Sequence, residues 1–69
     1  MNAHFNTLDE ARKYVRELSE TATAAIGSET VWEHEPTRAV AICTADDLIE
    51  SGENSDEWRE LGTVAEVLY

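Results

Sequence analysis

The chain has 69 residues, 42% of them apolar, and sets fifteen Asp and Glu against five Lys and Arg for a formal charge of −10. That length allows one thin core with no room to enclose a cofactor, which argues against an enzyme, and the apolar content is too high for a disordered acidic tail. A field of this sign repels nucleic acid and anionic membrane surfaces and speeds encounter with basic ones.

The amino-terminal stretch Met1–Thr7 has neither the charged nor the apolar segment of a signal peptide, and no apolar run approaches the length of a bilayer span. A cytoplasmic, soluble chain is expected. Thr7-Leu8-Asp9-Glu10 fits a capping box in which the Thr7 hydroxyl accepts from the Glu10 amide and the Glu10 carboxylate reaches the Thr7 amide. Behind it Leu8, Ala11, Val15, Leu18, Ala22 and Ala25 recur at spacings of three and four, with Ile26 beside the last. The spacing predicts one amphipathic helix over residues 8–26, ended by a left-handed Gly27. Asp9–Lys13 and Arg16–Glu20 would pair four apart on its outer face. The seam is also heptad-like; packing on the chain's own sheet is favoured over a helix pair between two copies, so monomer and homodimer both stay open.

Thr30 to Glu35 alternates, with Thr30, Trp32 and His34 on one face and Val31, Glu33 and Glu35 on the other. Pro36-Thr37 suits a turn, and Arg38 to Thr44 reads as a second, more buried strand, making a hairpin. Thr44-Ala45-Asp46-Asp47 is a second N-cap signal, with two acids in the first turn where the helix dipole favours them. Leu48 and Ile49 anchor that helix and Gly52 ends it. Asn54 or Ser55 would cap another short helix carrying Trp58 and Leu61, closed by Gly62. Residues 63–69, β-branched and alternating, predict a third strand, although Thr63 with Glu66 also fits a final capped turn. The expected fold is a small single α+β domain, α-β-β-α-β, with a long N-terminal helix packed on a short antiparallel sheet.

The charge is unevenly placed: residues 1–28 carry a net of −1 and residues 29–69 a net of −9. Asp46, Asp47, Glu50, Glu53, Asp56, Glu57 and Glu60 are seven carboxylates answered within their segment only by Arg59. Helical carboxylates three or four apart lie about 5–6 Å apart at Cβ, of the order of the phosphate spacing along a nucleic-acid strand. Asp46–Glu50, Glu53–Glu57 and Asp56–Glu60 are like-charge pairs that each cost a few tenths of a kcal/mol on a helix. Concentrating that cost without interleaved Lys points to a surface with a use. A solvated helix face and a salt-adapted composition are the plainer readings. Trp58, set among these acids, is either core or an interface anchor.

Other chemistry is poorly represented. Glu33, His34, Glu35, His4 and Cys43 lack metal-ligand spacing, and His34 would point away from its acidic neighbours on a strand. No Gly-rich loop or basic patch exists, so neither a cofactor nor direct nucleic-acid binding is expected. Cys43, the sole cysteine, lies in an apolar run and reads as a buried thiol. The leading expectation is an acidic inhibitor that occupies the nucleic-acid groove of a larger basic protein or ribonucleoprotein complex. Its partner surface would comprise Asp46, Asp47, Glu50, Glu53, Asp56, Glu57, Trp58 and Glu60. In size and charge alone the chain resembles the short acidic anti-CRISPR and anti-restriction proteins of phages and plasmids. The alternative is a regulatory or oligomeric interaction module, antitoxin-like, working through helix 8–26.

Overall fold

The computed structural model describes residues 3–52 and 54–69. Nine short elements follow one another along them: β1 (Ala3–Phe5), α1 (Leu8–Arg16), α2 (Glu20–Ile26), β2 (Thr30–His34), β3 (Val40–Ile42), α3 (Ala45–Glu50), a 3-10 turn (Ser55–Glu57), β4 (Trp58–Thr63) and α4 (Val64–Val67). The strands form one antiparallel sheet in the order β1-β3-β2-β4. The α+β class is as expected; the element order is richer.

Strand alternation gives the sheet two used faces. Val31, Val40 and Ile42 point to one side and are fully buried with Ala11 and Val15 of α1 and with Val64 and Leu68. Ala41, Cys43 and Leu48 form a smaller cluster on the other side, flanked by Trp32 and Trp58. α3 therefore covers the face opposite α1 and α4. A seven-residue cluster and a three-residue one are what a chain this short can bury.

The long helix is two helices. Thr7 caps α1, its hydroxyl accepting from the Glu10 amide at 3.2 Å, while the Glu10 carboxylate accepts from the Asn6 amide rather than that of Thr7. After Glu17 the chain leaves the helical path. Ser19, at φ −66° and ψ 161°, caps α2 through its hydroxyl and the Ala22 amide. A serine hydroxyl inside a helical pattern competes for backbone donors, and here a fresh N-cap wins over continuation. The break leaves Ala11 and Val15 buried and lets Ile26 still reach the core. Leu8, Ala11, Val15 and Ile26 of the seam thus pack on the chain's own sheet, while Ala25 is exposed. Gly27 is not a left-handed stop; it keeps helical angles, φ −57°. Neither expected ion pair of the outer face forms among the described residues: Arg12 approaches Asp9 at 3.8 Å instead, and the break falls between Arg16 and Glu20.

The hairpin forms with β3 shorter than expected. Its loop is closed by the Arg38 amide donating to the His34 carbonyl at 2.7 Å and the His34 amide donating to Ala39 at 2.8 Å. Closure requires Arg38 at φ 65°, a conformation costing an L-residue about 1–2 kcal/mol.

Two expectations near the C-terminus are corrected. The helix expected to carry Trp58 and Leu61 is only a 3-10 turn, and Trp58 to Thr63 form edge strand β4. Pairing with β2 decides this: His34 faces Trp58, Glu33 faces Arg59 and Trp32 faces Glu60. A bulge follows, since Val31 pairs with Gly62 and leaves Leu61 extra; Gly62 adopts φ 136° there. Residues 63–69 are not a strand. Thr63 and Glu66 close a full capping box, with bonds of 3.2 and 3.0 Å, and Val64–Val67 is helical. A strand would have put Glu66 on the same face as Val64 and Leu68. The helical turn turns Val64, Val67 and Leu68 inward and leaves Glu66 in solvent. The Val64 amide donates to Glu29 and that of Ala65 to Gly27, tying α4 to the start of β2.

Candidate partner-binding face

The proposed acidic residues come from three elements. Thr44 caps α3 as expected, its hydroxyl accepting from the Asp47 amide at 3.1 Å. Asp46 and Glu50 are exposed on α3 and Asp47 is half-buried, while Leu48 holds the helix on the sheet. Asp56 and Glu57 stand exposed on the 3-10 turn, where the Asn54 side chain accepts from the Asp56 amide. Glu60, exposed on β4, lies beside Trp32 on the α3 side of the sheet. Glu53 falls outside the described residues.

Among the described residues Asp46–Glu50 survives as a helical like-charge pair, and Glu53–Glu57 lies partly outside them. Asp56 and Glu60 sit on a 3-10 turn and a strand, so their separation is not set by helical spacing. Tertiary packing, not helical spacing, brings the acids of α3 and Glu60 of β4 to one sheet face, and the 3-10 turn leads directly into β4.

Trp58 is not an exposed anchor. It is half-buried in β4 against the smaller core, with its ring 4.9 Å from that of His34 and edge-on to His4 at 6.4 Å. Trp32 lies on the same face, its indole N–H donating to the Cys43 carbonyl at 3.1 Å. The two indoles thus flank the smaller core on the α3 side of the sheet.

The cations of this half are all on the other side. Arg59 donates to Glu33 at 2.9 Å and Arg38 approaches the same carboxylate oxygen at 3.4 Å. Glu33, only 9% exposed, shares a sheet face with Val31, away from α3. Strand direction sends Arg59 to Glu33, away from the acids that neighbour it in the sequence. Among the described residues, Asp46, Asp47, Glu50, Asp56 and Glu60 make no ion pair.

Glu57 is the exception, and it belongs to a network that sequence reasoning missed. Its carboxylate lies 2.7 Å from His34 Nε2, while His34 Nδ1 lies 2.8 Å from Thr37 Oγ1. The Ala39 amide donates to the same hydroxyl at 3.3 Å, and because a carboxylate only accepts, Nε2 carries a proton toward Glu57. The order hydroxyl–imidazole–carboxylate is that of a nucleophile and its base. Here it clips the hairpin loop to the 3-10 turn, with the imidazole largely covered at 18% exposure. Among the described residues, no three His, Cys, Asp or Glu side chains converge as metal ligands.

Cys43 is buried, and burial, with the Asp47 and Glu29 carboxylates adding, pushes its thiol above the usual range. It is a neutral packing group at pH 7. No helix among the described residues is long and apolar enough to cross a membrane. No protein-family model, no curated protein and no solved structure matches this chain.

Proposed function

We propose that this protein binds, through the acidic face of α3, the 3-10 turn and β4, a basic groove that a larger complex uses for nucleic acid, and so blocks it. One observation carries the reading: both cations of residues 29–69 are drawn to Glu33 on the opposite sheet face, and among the described residues Asp46, Asp47, Glu50, Asp56 and Glu60 make no ion pair. Solvation of a surface needs no such segregation, and a salt-adapted surface would load every exposed face. Residues 1–28, at a net of −1, are nearly neutral. The carboxylates are held on folded backbone rather than on a tail, so little ordering entropy is lost when they meet a partner. The reading is of a binding protein rather than an enzyme.

The test is capture of partners from cell lysate on immobilised protein, washed in parallel at low and high salt, with D46K/E50K/D56K/E60K beside the wild type. Retention of a nucleic-acid-handling complex at low salt, lost at high salt and lost with the quadruple variant, is the expected result. A partner held equally by the variant, or one indifferent to salt, would refute it.

A further inference from the structure

The break between α1 and α2 opens a cavity of about 390 Å³ on the helical side of the sheet, away from the acidic face. That volume is within the range of small-molecule sites, about 300–1,000 Å³. Val15 and Leu68 of its lining are core residues, half-buried Leu18 and exposed Ala24 add apolar surface, and Thr23 and Tyr69 complete it. At its rim stand Arg16, the last residue of α1, and Glu20, the first of α2. On an unbroken helix these two would lie four apart and pair. The break separates them, and no ion pair joins them among the described residues.

Arg16, like Lys13, makes no ion pair among the described residues, and of these two cations it is Arg16 that lines the cavity. Arg12, Arg38 and Arg59 each contact a carboxylate; among the described residues Arg16 contacts none, in a chain with fifteen acids. An unanswered guanidinium beside an apolar hollow is complementary to an amphipathic anion. The surrounding charge permits it, because residues 1–28 are nearly neutral and Asp46, Asp47, Glu50 and Glu60 lie on the other side of the sheet, where salt screens them over about 8 Å. Glu20 on the far rim disfavours a second negative charge.

We propose that this cavity binds a small amphipathic monocarboxylate, its hydrocarbon on Val15, Leu18, Ala24 and Leu68 and its carboxylate at Arg16. The site is independent of the acidic face.

The test is amide chemical-shift titration of the full chain with decanoate, decanol and decylamine, each below its aggregation threshold. Decanoate should give saturable shifts confined to residues 15–24 and 68–69 and bind more tightly than decanol, with decylamine weakest. R16Q should weaken decanoate about five-fold, the scale of an exposed ion pair, and leave decanol unchanged. E20Q should tighten decanoate. Both substitutions lie on the rim, so the fold survives them. The proposal is overturned if decanoate gives no saturable shifts or shifts other regions. It is equally overturned if decylamine matches decanoate or if R16Q leaves decanoate affinity unchanged.

Discussion

Removing the charge of Glu33 probes the arrangement on which the charge segregation depends. In Glu33→Gln the side chain keeps its shape and one acceptor oxygen but loses its hold on two cations. A hydrogen bond to a charged group contributes about 1.5–3 kcal/mol when desolvated. Here the carboxylate is 12% exposed, but the guanidinium side chains of Arg59 and Arg38 are 57% and 74% exposed, and the Arg38 contact is long at 3.4 Å. Solvent screening reduces the expected loss to about 1 kcal/mol, nearly all of it from Arg59. That is a sizeable share of what a domain this small has to lose. Urea unfolding followed by the emission of Trp32 and Trp58 measures it, and a cycle with Arg59→Gln isolates the pair. We expect E33Q to lower stability by about 1 kcal/mol, with a coupling of about 0.5 kcal/mol or more to R59Q. Glu33→Leu, which removes the carboxylate's desolvation cost along with the charge, should be closer to wild type than E33Q. A coupling indistinguishable from zero would refute the reasoning, because Arg59 would then be free to neutralise Asp56 or Glu60.

Three further outcomes follow from local structure. Gly62 at φ 136° would place an added Cβ 3.2 Å from Val67 Cγ2, so Gly62→Ala should cost about 1–3 kcal/mol in the same urea assay; an unchanged midpoint would contradict the bulge. Cys43, buried and with its thiol titrating above the usual range, should react slowly with a disulfide reagent when native and rapidly in urea. Because its folded value exceeds its unfolded one of about 8.5, its contribution to stability is complete below that pH and falls as pH rises through the folded value. The stability difference between wild type and Cys43→Ala should therefore shrink in alkali. Glu66 is held below the usual carboxylate range by the Thr63 amide and then the Thr63 hydroxyl. Its contribution is present above the unfolded value of about 4.3 and is lost as pH falls through the folded one. The gap between wild type and Glu66→Gln should close in acid, and a gap constant with pH would contradict the capping box.

The parts legible in the sequence are those fixed by local chemistry. Thr7 and Thr44 cap helices, Ala11 and Val15 face the core, and β2 pairs with β3 as a hairpin, each because a side chain meets neighbours a few residues away. β1 escaped because three residues carry no period; pairing with β3, far along the chain, makes them a strand. Trp58 to Leu61 read as helix because their strand character comes from β2 rather than from their own composition. Ser19 was hidden inside a spacing that two consecutive helices preserve as well as one. For the candidate face, Asp46, Asp47 and Glu50 were readable on α3. The destination of Arg59, 26 residues away at Glu33, was not, since only strand register sets it. The cavity at Arg16 is likewise a consequence of the unread break.

If the acidic face takes the place of nucleic acid in a basic groove, as proposed, the two must exclude each other. The most direct measurement is a competition: the captured complex, held on immobilised protein, is challenged with increasing duplex DNA and duplex RNA at fixed ionic strength. The account predicts release by one of these in proportion to its own affinity for the complex, with no ternary species. A complex that binds nucleic acid and this protein together, without mutual weakening, would contradict it.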